Sequence, residues 1–481
     1  MRIVGAIVGT LLLTVGFAGA SSATTTPWGP IADNPNLGPT GTATMHGDAA
    51  SSDATPFAGP GTGNIAVSVY PLASACPTVL QGSDGLVVAL CTAILGQTPT
   101  VHLIDPTVGG VGSLGSSTGS SGGSLASFPL TKGTLLGGVY AFVDNANRLV
   151  AVDGNGHLVR IGHSRTNNGE WQLTKDADTD LSSAIPAGDG VTGLTPGIDG
   201  TVWFATAAGV VGAVDAQGVA QTVALGAGEQ VQNSISTSPA GRTAVATTHA
   251  LYELAADASG RPQVLWRAEY DRGPGRKPGM LSWGTGSTPT YFGPGNGAEY
   301  LTIVDNADKQ VHALVFRSGS GAQVCSQPVL TKGGPGSENS PVGIGRTIVV
   351  ASTYGYPYPT VPEGAGSSEP LIAPFTGGMT RVDVDDTGCH TVWENTVRSA
   401  AVPRLSTADG KLYTTTRVGL DLTTPLDGFA YTVIDPGNGN VVTSQPLPPT
   451  IASDTLQMAP LLTPDGRMLQ GTLTGILRIT G

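Results

Sequence analysis

An apolar segment that ends in Asp and is soon followed by Gly recurs along this chain. The clearest copies are at residues 103–105, 150–153, 211–215, 254–257, 382–383 and 433–435, and weaker copies are at 314–316 and 475–479. Consecutive copies are about 40 to 65 residues apart. A period of this size is typical of repeat folds, in which one unit cannot bury its own apolar face and stacks on its neighbours. The repeat therefore constrains the fold more strongly than any single motif does.

Each unit also carries signals for shorter strands. Asp-Gly pairs between apolar segments, such as Asp199-Gly200 and Asp409-Gly410, favour hairpins. Further upstream, most units carry a proline, and the positions are Pro77, Pro129, Pro196, Pro289, Pro341, Pro403 and Pro460, with Ile235 in the corresponding place in one unit. Proline suits a strand with one unpaired edge, so we predict these segments to be innermost strands around a channel. Four short strands per unit predict an all-β, eight-bladed β-propeller, with seven blades as the alternative.

The last unit ends at Gly481 without an outer strand. Because ring closure removes exposed sheet edges, we predict that residues 64–70 complete the last blade. Residues 63–481 would then form one propeller domain. Residues 24–62 are rich in Pro, Gly, Ser and Ala and are predicted to be an extended lead-in that packs on the ring or stays partly disordered.

The N-terminus and the cysteines predict a secreted, extracellular protein. Residues 1–23 have the pattern of a signal peptide, with Arg2 before a short apolar segment and small residues at a cleavage site. The apolar segment is too short for a comfortable membrane span, so none is expected after cleavage. An even, disulfide-permissive set of cysteines comprises Cys76, Cys91, Cys325 and Cys389. Of the three pairings, we favour Cys76 with Cys91.

The sparse charge of the chain excludes one class of partner. Charged residues make up 12% of the sequence, against roughly 25% in typical soluble domains, and the net charge is −12. The basic residues are dispersed apart from one loop at residues 270–279. Nucleic acid is therefore not expected as a partner, because binding phosphates takes a clustered Lys/Arg surface.

These repeat units resemble those of PQQ-like, quinoprotein-type eight-bladed propellers and of the related seven-bladed YncE-like proteins, over roughly residues 70–481. The resemblance implies a propeller fold. The chain departs from quinoproteins in two respects: it has no adjacent Cys-Cys pair, and the tryptophans at the docking positions are not matched. Trp203, Trp266, Trp283 and Trp393 occur at inconsistent positions of the repeat. PQQ is therefore not expected as a cofactor.

Polar residues align just before the predicted innermost strands. Asn233, Ser287, Asn339 and Met458 share the position two residues before the proline or its equivalent, and Glu338 is one residue further back. We expect Asn233, Ser287 and Asn339 to contact a ligand. Two interpretations of the oxygen groups stay open. Glu338, Asn339 and Asn233 could hold a divalent cation such as calcium, or they could bond channel water and unpaired strand edges.

Charged side chains supply candidates for chemistry. His46 and Asp48 lie close together in the lead-in and could exchange protons if that segment crosses the channel mouth. Arg272 or Arg404 could pair with an anionic substrate. The loop that carries Asp271, Arg272, Arg276 and Lys277 could equally join neighbouring blades through surface ion pairs.

A tyrosine-rich loop is the remaining candidate. Tyr354, Tyr356 and Tyr358 alternate with Gly and Pro. Rigid aromatic side chains on such a loop suit stacking against a sugar or a protein, and packing on the next blade is the alternative.

These features favour a secreted propeller that binds an extracellular small molecule, glycan or protein through its channel face and loops. The alternative function is that of a channel-site enzyme, a metal-dependent hydrolase, lactonase or lyase, with His46, Asp48, Arg272 and Arg404 as catalytic residues. A quinoprotein-like dehydrogenase is a more distant alternative.

Overall fold

A computed structural model describes residues 28–112, 123–133, 140–362 and 364–481. The predicted signal peptide lies outside these described residues. Within them the chain forms eight sheets and one short 3₁₀ turn, Ile451–Ser453. The eight-bladed propeller predicted from the repeat is confirmed, and the seven-bladed alternative is wrong.

Each blade is a sheet of four antiparallel strands, ordered from the innermost strand at the channel to the outermost strand. Blade 1 comprises Ser74–Gln81, Val87–Ala93, Pro99–Ile104 and Ala126–Pro129, and blade 2 comprises Phe142–Val143, Leu149–Val152, His157–Arg165 and Trp171–Asp180. Blade 3 comprises Val191–Pro196, Val202–Thr206, Val210–Val214 and Ala220–Ala224, and blade 4 comprises Ser236–Thr237, Arg242–Ala246, Ala250–Ala256 and Pro262–Glu269. Blade 5 comprises Thr290–Phe292, Tyr300–Val304, His312–Arg317 and Gln323–Pro328, and blade 6 comprises Val342–Ile344, Thr347–Ala351, Met379–Asp385 and Gly388–Asn395. Blade 7 comprises Arg404–Ser406, Lys411–Val418, Gly428–Ile434 and Val441–Pro446, and blade 8 comprises Leu461–Leu462, Met468–Thr472, Gly475–Thr480 and Ala66–Pro71.

The burial of the strands follows their place in the blade. Second strands such as Val202–Thr206 and Tyr300–Val304 are wholly buried, because both of their faces pack on neighbouring blades. Third strands such as Val210–Val214 are mostly buried. Outermost strands such as Val441–Pro446 alternate between exposed and partly buried residues. The core is thus shared between blades.

The ring is closed by the N-terminal part of the chain. Ala66–Pro71 pairs antiparallel with Gly475–Thr480 and is the outer strand of blade 8, as predicted. The short strand Val111–Gly112 adds to its outer edge. The innermost strand of blade 1 contacts Met468–Thr472 of blade 8, so the first and last blades meet.

The strand order predicted from the repeat is wrong at the junction of blades 1 and 2. Pro129 lies in the outermost strand of blade 1, not in an innermost strand. Residues 150–153 belong to the second strand of blade 2 and the turn after it, although the repeat equates them with third strands. The cause is that an Asp-x-x-Gly turn can follow either strand, and blade 1 carries a long connection before its fourth strand.

The lead-in packs inside the ring. Its backbone carbonyls accept hydrogen bonds of 2.7–3.0 Å from amides on or just beyond the innermost strands of six blades, and these amides belong to Gln81, Val143, Thr237, Tyr291, Gly343, Leu405 and Thr407. The side chain of Asn34 donates to Pro196 O of a seventh blade at 2.9 Å. Ala54–Thr55 runs parallel to Arg404–Ser406 as an additional strand of blade 7. We call residues 28–62 the channel plug. Residues 42–55 occupy the channel against the innermost strands, whereas Trp28, Asn36 and Gly61 contact turns or strands further out.

Two disulfides connect the four cysteines. Cys76 is bonded to Cys91 within blade 1, the pairing favoured from the sequence. Cys325 is bonded to Cys389 and joins the outermost strands of blades 5 and 6. Two disulfides suit an extracellular environment. No helix in the described part of the chain is long and apolar enough to cross a membrane.

Candidate ligand site at one end of the channel

The two ends of the channel differ in what fills them. The plug contacts innermost strands at their last residues, such as Gln81 and Val143, and at middle residues, such as Tyr291 and Gly343. Its His46 and Asp53 reach as far as Ser340. The segments that precede these strands meet at the opposite end, because innermost strands run in the same direction around the ring. Glu338, which precedes Val342–Ile344, lies at that opposite end.

Glu338 is held by the loop that leads into blade 5. Its Oε2 accepts a hydrogen bond from the Leu281 backbone amide at 2.9 Å. Gly286 allows this approach, since a Cβ there would lie 2.3 Å from the Glu338 Cα. Oε1 of Glu338 is buried and has no hydrogen-bond partner among the described residues. One carboxyl oxygen is thus fixed by a backbone amide, and the other is buried with the Asn233 side chain as a polar neighbour.

The surroundings of Glu338 keep its carboxyl group uncharged at neutral pH. Burial raises its pKa to about 8, although the Leu281 amide, the Arg276 charge and the Asn233 side chain all act to lower it. The Asn233 amide itself donates to Thr285 O at 3.5 Å. A neutral carboxyl group can both donate and accept a hydrogen bond.

Two tyrosines lie near Glu338. Burial raises the pKa of both Tyr140 and Tyr358, and the nearby charge of Glu338 raises each further. Tyr358 is partly exposed and packs edge-on against Tyr356, with ring centroids 4.9 Å apart. Tyr140 lies just before the innermost strand of blade 2. It was not predicted from the sequence, because the repeat misassigns the strand order of that blade.

Two of the aligned polar residues serve the contacts between blades. Asn339 is buried and donates from Nδ2 to Gln457 Oε1 at 3.0 Å. Ser287 is fully buried; its Oγ accepts from the Val304 amide of its own blade at 3.1 Å and donates to Asn339 O, which leads into the next blade, at 3.5 Å. Their side chains are thus engaged within the protein, while Asn233 and Glu338 lie together.

The other loop tyrosines are engaged as well. Tyr356 is buried, and its hydroxyl donates to Asp454, which also pairs with Arg417 at 3.1 Å. Tyr354 packs over Gly334 in the connection between blades 5 and 6. Of the three predicted ligand contacts in this loop, Tyr358 is the one placed beside Glu338.

The basic loop joins blades through carbonyl groups rather than through surface ion pairs. Lys277 is buried, and its ammonium donates to Ala307 O and to Pro335 O. Burial lowers its pKa to about 8. Arg272 lies apart, stacked 3.9 Å from the ring centre of Trp283 and bonded to His249 at 2.6 Å.

Three of the predicted catalytic residues meet in the plug, away from Arg272. Arg404 is fully buried, lies 3.5 Å from Asp53 and donates to Met45 O and to Pro460 O. Asp48 accepts hydrogen bonds from the amide and hydroxyl of Ser52. Burial raises the pKa of Asp48 to about 6, against the lowering effects of those bonds and of Arg404.

His46 has Ser and Asp neighbours but not the geometry of a nucleophile relay. Asp53 Oδ2 lies 3.0 Å and Ser340 Oγ 3.1 Å from the same ring nitrogen, Nδ1. A relay needs the hydroxyl on the nitrogen opposite the carboxylate. The hydroxyl of Ser340 donates instead to Asp53 at 2.7 Å. This cluster therefore holds the plug in the ring.

The predicted cation site has a weak donor set. Glu338 and Asn233 lie together, but Glu338 is the one carboxyl among the three predicted ligands, and at neutral pH it is mostly protonated. Hard divalent cations prefer several charged oxygens. Among the described residues, no group of three or more His, Cys, Asp or Glu side chains could hold a metal. Calcium binding stays a prediction.

The fold and the site together define an eight-bladed β-propeller with a plugged channel and a polar site at the other end. Solved structures with a similar fold include a europium-containing methanol dehydrogenase, with a TM-score of 0.54, 11% identity and coverage of 91% of this chain and 98% of that one. They also include the quinohemoprotein alcohol dehydrogenase ADHIIG from Pseudomonas putida, with a TM-score of 0.56, 10% identity and coverage of 92% and 80%. At such identities the likeness shows the fold alone.

Sequence comparisons add little to this assignment. No protein-family model matches the chain. An uncharacterised protein of Archaeoglobus fulgidus is 29% identical over 182 residues, which covers 36% of this chain. The match spans 32% of that relative's length.

The expectation that PQQ is not a cofactor stays a prediction. Trp203 is buried in a second strand. Trp266 and Trp393 lie at matching places on outermost strands, each beside a glycine of the next blade, Gly321 or Gly439, which corrects the inconsistent repeat positions assigned to these two residues from the sequence.

Proposed function

We propose that this chain is a secreted propeller that binds a neutral, hydroxyl-bearing extracellular ligand, such as a glycan, at the Glu338 end of its channel. The observation that carries the proposal is Oε1 of Glu338, which is buried and without a hydrogen-bond partner among the described residues, on a carboxyl whose pKa burial raises to about 8. An unpaired buried polar atom is costly, and a ligand hydroxyl that both donates and accepts would satisfy it.

The surroundings support a neutral ligand. Tyr358 offers an aromatic face beside the carboxyl, and aromatic side chains suit the apolar faces of sugars. The net charge of −12 disfavours anions. The plug fills the other end of the channel, so a ligand would approach from the Glu338 side. The two disulfides support the extracellular setting.

The test is calorimetric titration of the protein with a panel of neutral oligosaccharides at pH 7. For the ligands that bind, Glu338→Ala should weaken affinity roughly tenfold to a hundredfold, because a buried hydrogen-bonding partner is lost. Glu338→Gln, which is neutral and can both donate and accept, should stay within a few-fold of the parent.

The matched control is Glu299→Ala. Glu299 is also partly buried with one unpartnered oxygen, but it lies in the first turn of blade 5, beyond the innermost strand. Equal affinities of the parent and Glu338→Ala for every binding glycan would refute the proposal.

An enzymatic function is the second candidate, because a carboxyl with a pKa of about 8 is protonated at neutral pH and could act as a general acid. The same panel separates the two functions. Product formation that disappears in Glu338→Gln while binding persists would indicate a hydrolase or lyase, and binding without product formation would indicate a binding protein.

A further inference from the structure

A cleft of about 370 Å³ shares its wall with the Glu338 site. Met280 lines it and directly precedes Leu281, whose amide binds Glu338. Tyr358 and Arg276 also line it, and each interacts electrostatically with Glu338. The cleft and the carboxyl are therefore neighbouring parts of one end of the propeller.

Part of the cleft wall is formed by apolar side chains that are unusually exposed, and Ser368 and Thr423 add polar groups. Pro278, Val361, Leu371, Ile372 and Leu422 lie along it. Leu371 is 74% exposed, Ile372 77% and Leu422 63%. Contiguous exposed apolar side chains of this kind mark binding sites in soluble proteins. The volume suits one small-molecule body.

The exposed rim is held in place by backbone hydrogen bonds. Phe375 is fully buried, and its amide donates to Asp421 O at 2.8 Å, which ties the blade 6 insertion to the blade 7 loop. Glu369 N donates to Arg276 O at 2.7 Å. Leu371 and Ile372 lie between these two anchors, so the fold presents them at the surface.

The charged group in the wall is already engaged. The Arg276 guanidinium donates from Nη1 to Met280 O at 2.8 Å, and from Nε and Nη2 to Gly366 O at 3.1 and 2.8 Å. These contacts orient the guanidinium toward backbone carbonyls. Together with the uncharged Glu338 carboxyl, this favours a ligand without a net charge.

We infer that the ligand is a neutral amphiphile, with an apolar chain or ring in this cleft and a hydroxyl-bearing head at Glu338. This inference rests on the proposed function and adds the apolar half of the ligand. An alkyl glycoside has this chemistry.

The experiment titrates the full protein with hexyl, heptyl and octyl β-glucoside below their micelle concentrations, and with octanoate as an anionic contrast. Each added methylene that enters the cleft should tighten binding roughly fourfold. Octanoate should bind more weakly than octyl glucoside. If octanoate bound more tightly than octyl glucoside, the inference that the head group of the ligand is neutral would be overturned.

Two variants test whether the alkyl chain of the ligand binds in this cleft. The double variant Leu371→Asp, Ile372→Asp should remove the dependence on chain length, and because both side chains are exposed it should keep the parental melting temperature. The matched control is Leu95→Asp, which changes a leucine that is 89% exposed in a turn of blade 1. Leu95→Asp should retain the dependence. Equal loss in both variants, or no dependence in the parent, would overturn the inference.

The two proposals fail in different ways. If Glu338→Ala weakens all three glucosides by one common factor and leaves the chain-length dependence intact, both stand. If neutral oligosaccharides bind through Glu338 but the glucosides show no chain-length dependence, the amphiphile is overturned and the proposed function stands. If affinity depends on alkyl chain length but Glu338→Ala leaves every affinity unchanged, the proposed role of Glu338 fails and only the binding of an alkyl chain in the cleft is supported.

Discussion

Burial raises the pKa of the Asp48 and Glu338 carboxyl groups, but the two groups differ in their hydrogen-bond partners. Both oxygens of Asp48 accept hydrogen bonds from Ser52, so that group is satisfied within the plug. Glu338 has one oxygen bonded to Leu281 and the other without a partner among the described residues. Burial alone does not distinguish a structural carboxyl group from a ligand-binding one. The two are distinguished by how many of the carboxyl oxygens have hydrogen-bond partners within the protein.

Glu338 should make stability depend on pH in a defined direction. Its pKa rises from an ordinary value of 4.5 to about 8 on folding, so between these values the folded state holds one more proton than the unfolded state. The contribution of Glu338 to the free energy of unfolding therefore falls as pH rises from about 5 to 8.

The measurement is urea unfolding of the parent and of Glu338→Gln at pH 5, 6, 7 and 8. Because the glutamine variant cannot titrate, its stability relative to the parent should increase with pH. Asp48 titrates in both proteins, and its contribution cancels in this difference. Parallel pH profiles would contradict the assigned pKa.

At the scale of elements, the plug is the segment that most shapes the site. It forms one short strand, Ala54–Thr55, yet its carbonyl groups pair with innermost strands around most of the ring. Innermost strands have an edge that faces the channel, and the plug satisfies their amides there. Closing this end leaves the Glu338 end for a ligand.

Deletion of residues 28–62, with the chain retained from Gly63 onward, should expose those amides and keep the closing strand Ala66–Pro71. We expect the amides of Thr237, Tyr291 and Gly343 to lose hydrogen-exchange protection. Stability should fall by several kcal/mol in total, at roughly 1 kcal/mol per backbone hydrogen bond.

The control in the same exchange experiment is the second strand of blade 5, Tyr300–Val304, which pairs only with its own blade and should stay protected. Unchanged protection at Tyr291 and Gly343 after the deletion would show that the plug does not hold the innermost strands.

The sequence predicted the elements that leave a pattern of side chains and missed those that depend on backbone contacts. Asp-Gly turns and apolar strands repeat in the sequence, so the blades and the closing strand could be predicted. The plug could not, because its contacts use backbone carbonyls, which any residue supplies. Asn233 was found from the repeat position that it shares with Asn339, and Glu338 from the residue before that position, whereas Tyr140 was missed because Pro129 was assigned to the wrong strand. The cleft joins loops from blades 5, 6 and 7, and nothing in a single repeat indicates that.

At the scale of the whole molecule, the ring is stabilised by links between its ends and between its blades. The strand Ala66–Pro71 joins the N-terminal part of the chain to the last blade. The Cys325–Cys389 disulfide joins blades 5 and 6 across a separation of 64 residues. Since each blade buries its faces on its neighbours, opening one junction should weaken the whole ring.

The double variant Cys325→Ser, Cys389→Ser should therefore lower the free energy of unfolding by roughly 2–4 kcal/mol, because the unfolded chain gains freedom over a long loop. The matched variant Cys76→Ser, Cys91→Ser opens a loop of 15 residues within one blade and should lower it less. Guanidinium unfolding without reductant measures both. A larger loss from the short loop would contradict the role of the long one in joining blades.

The central claim is that a neutral ligand binds at the Glu338 end of a channel that is plugged at the other end. Its most direct test is a crystal structure of the protein soaked with octyl glucoside below its micelle concentration. We predict the glucose hydroxyls within hydrogen-bond distance of Glu338 Oε1 and the alkyl chain against Leu371 and Ile372. A glucoside bound at the plugged end, or a Glu338 site without ligand at saturating concentration, would contradict the claim.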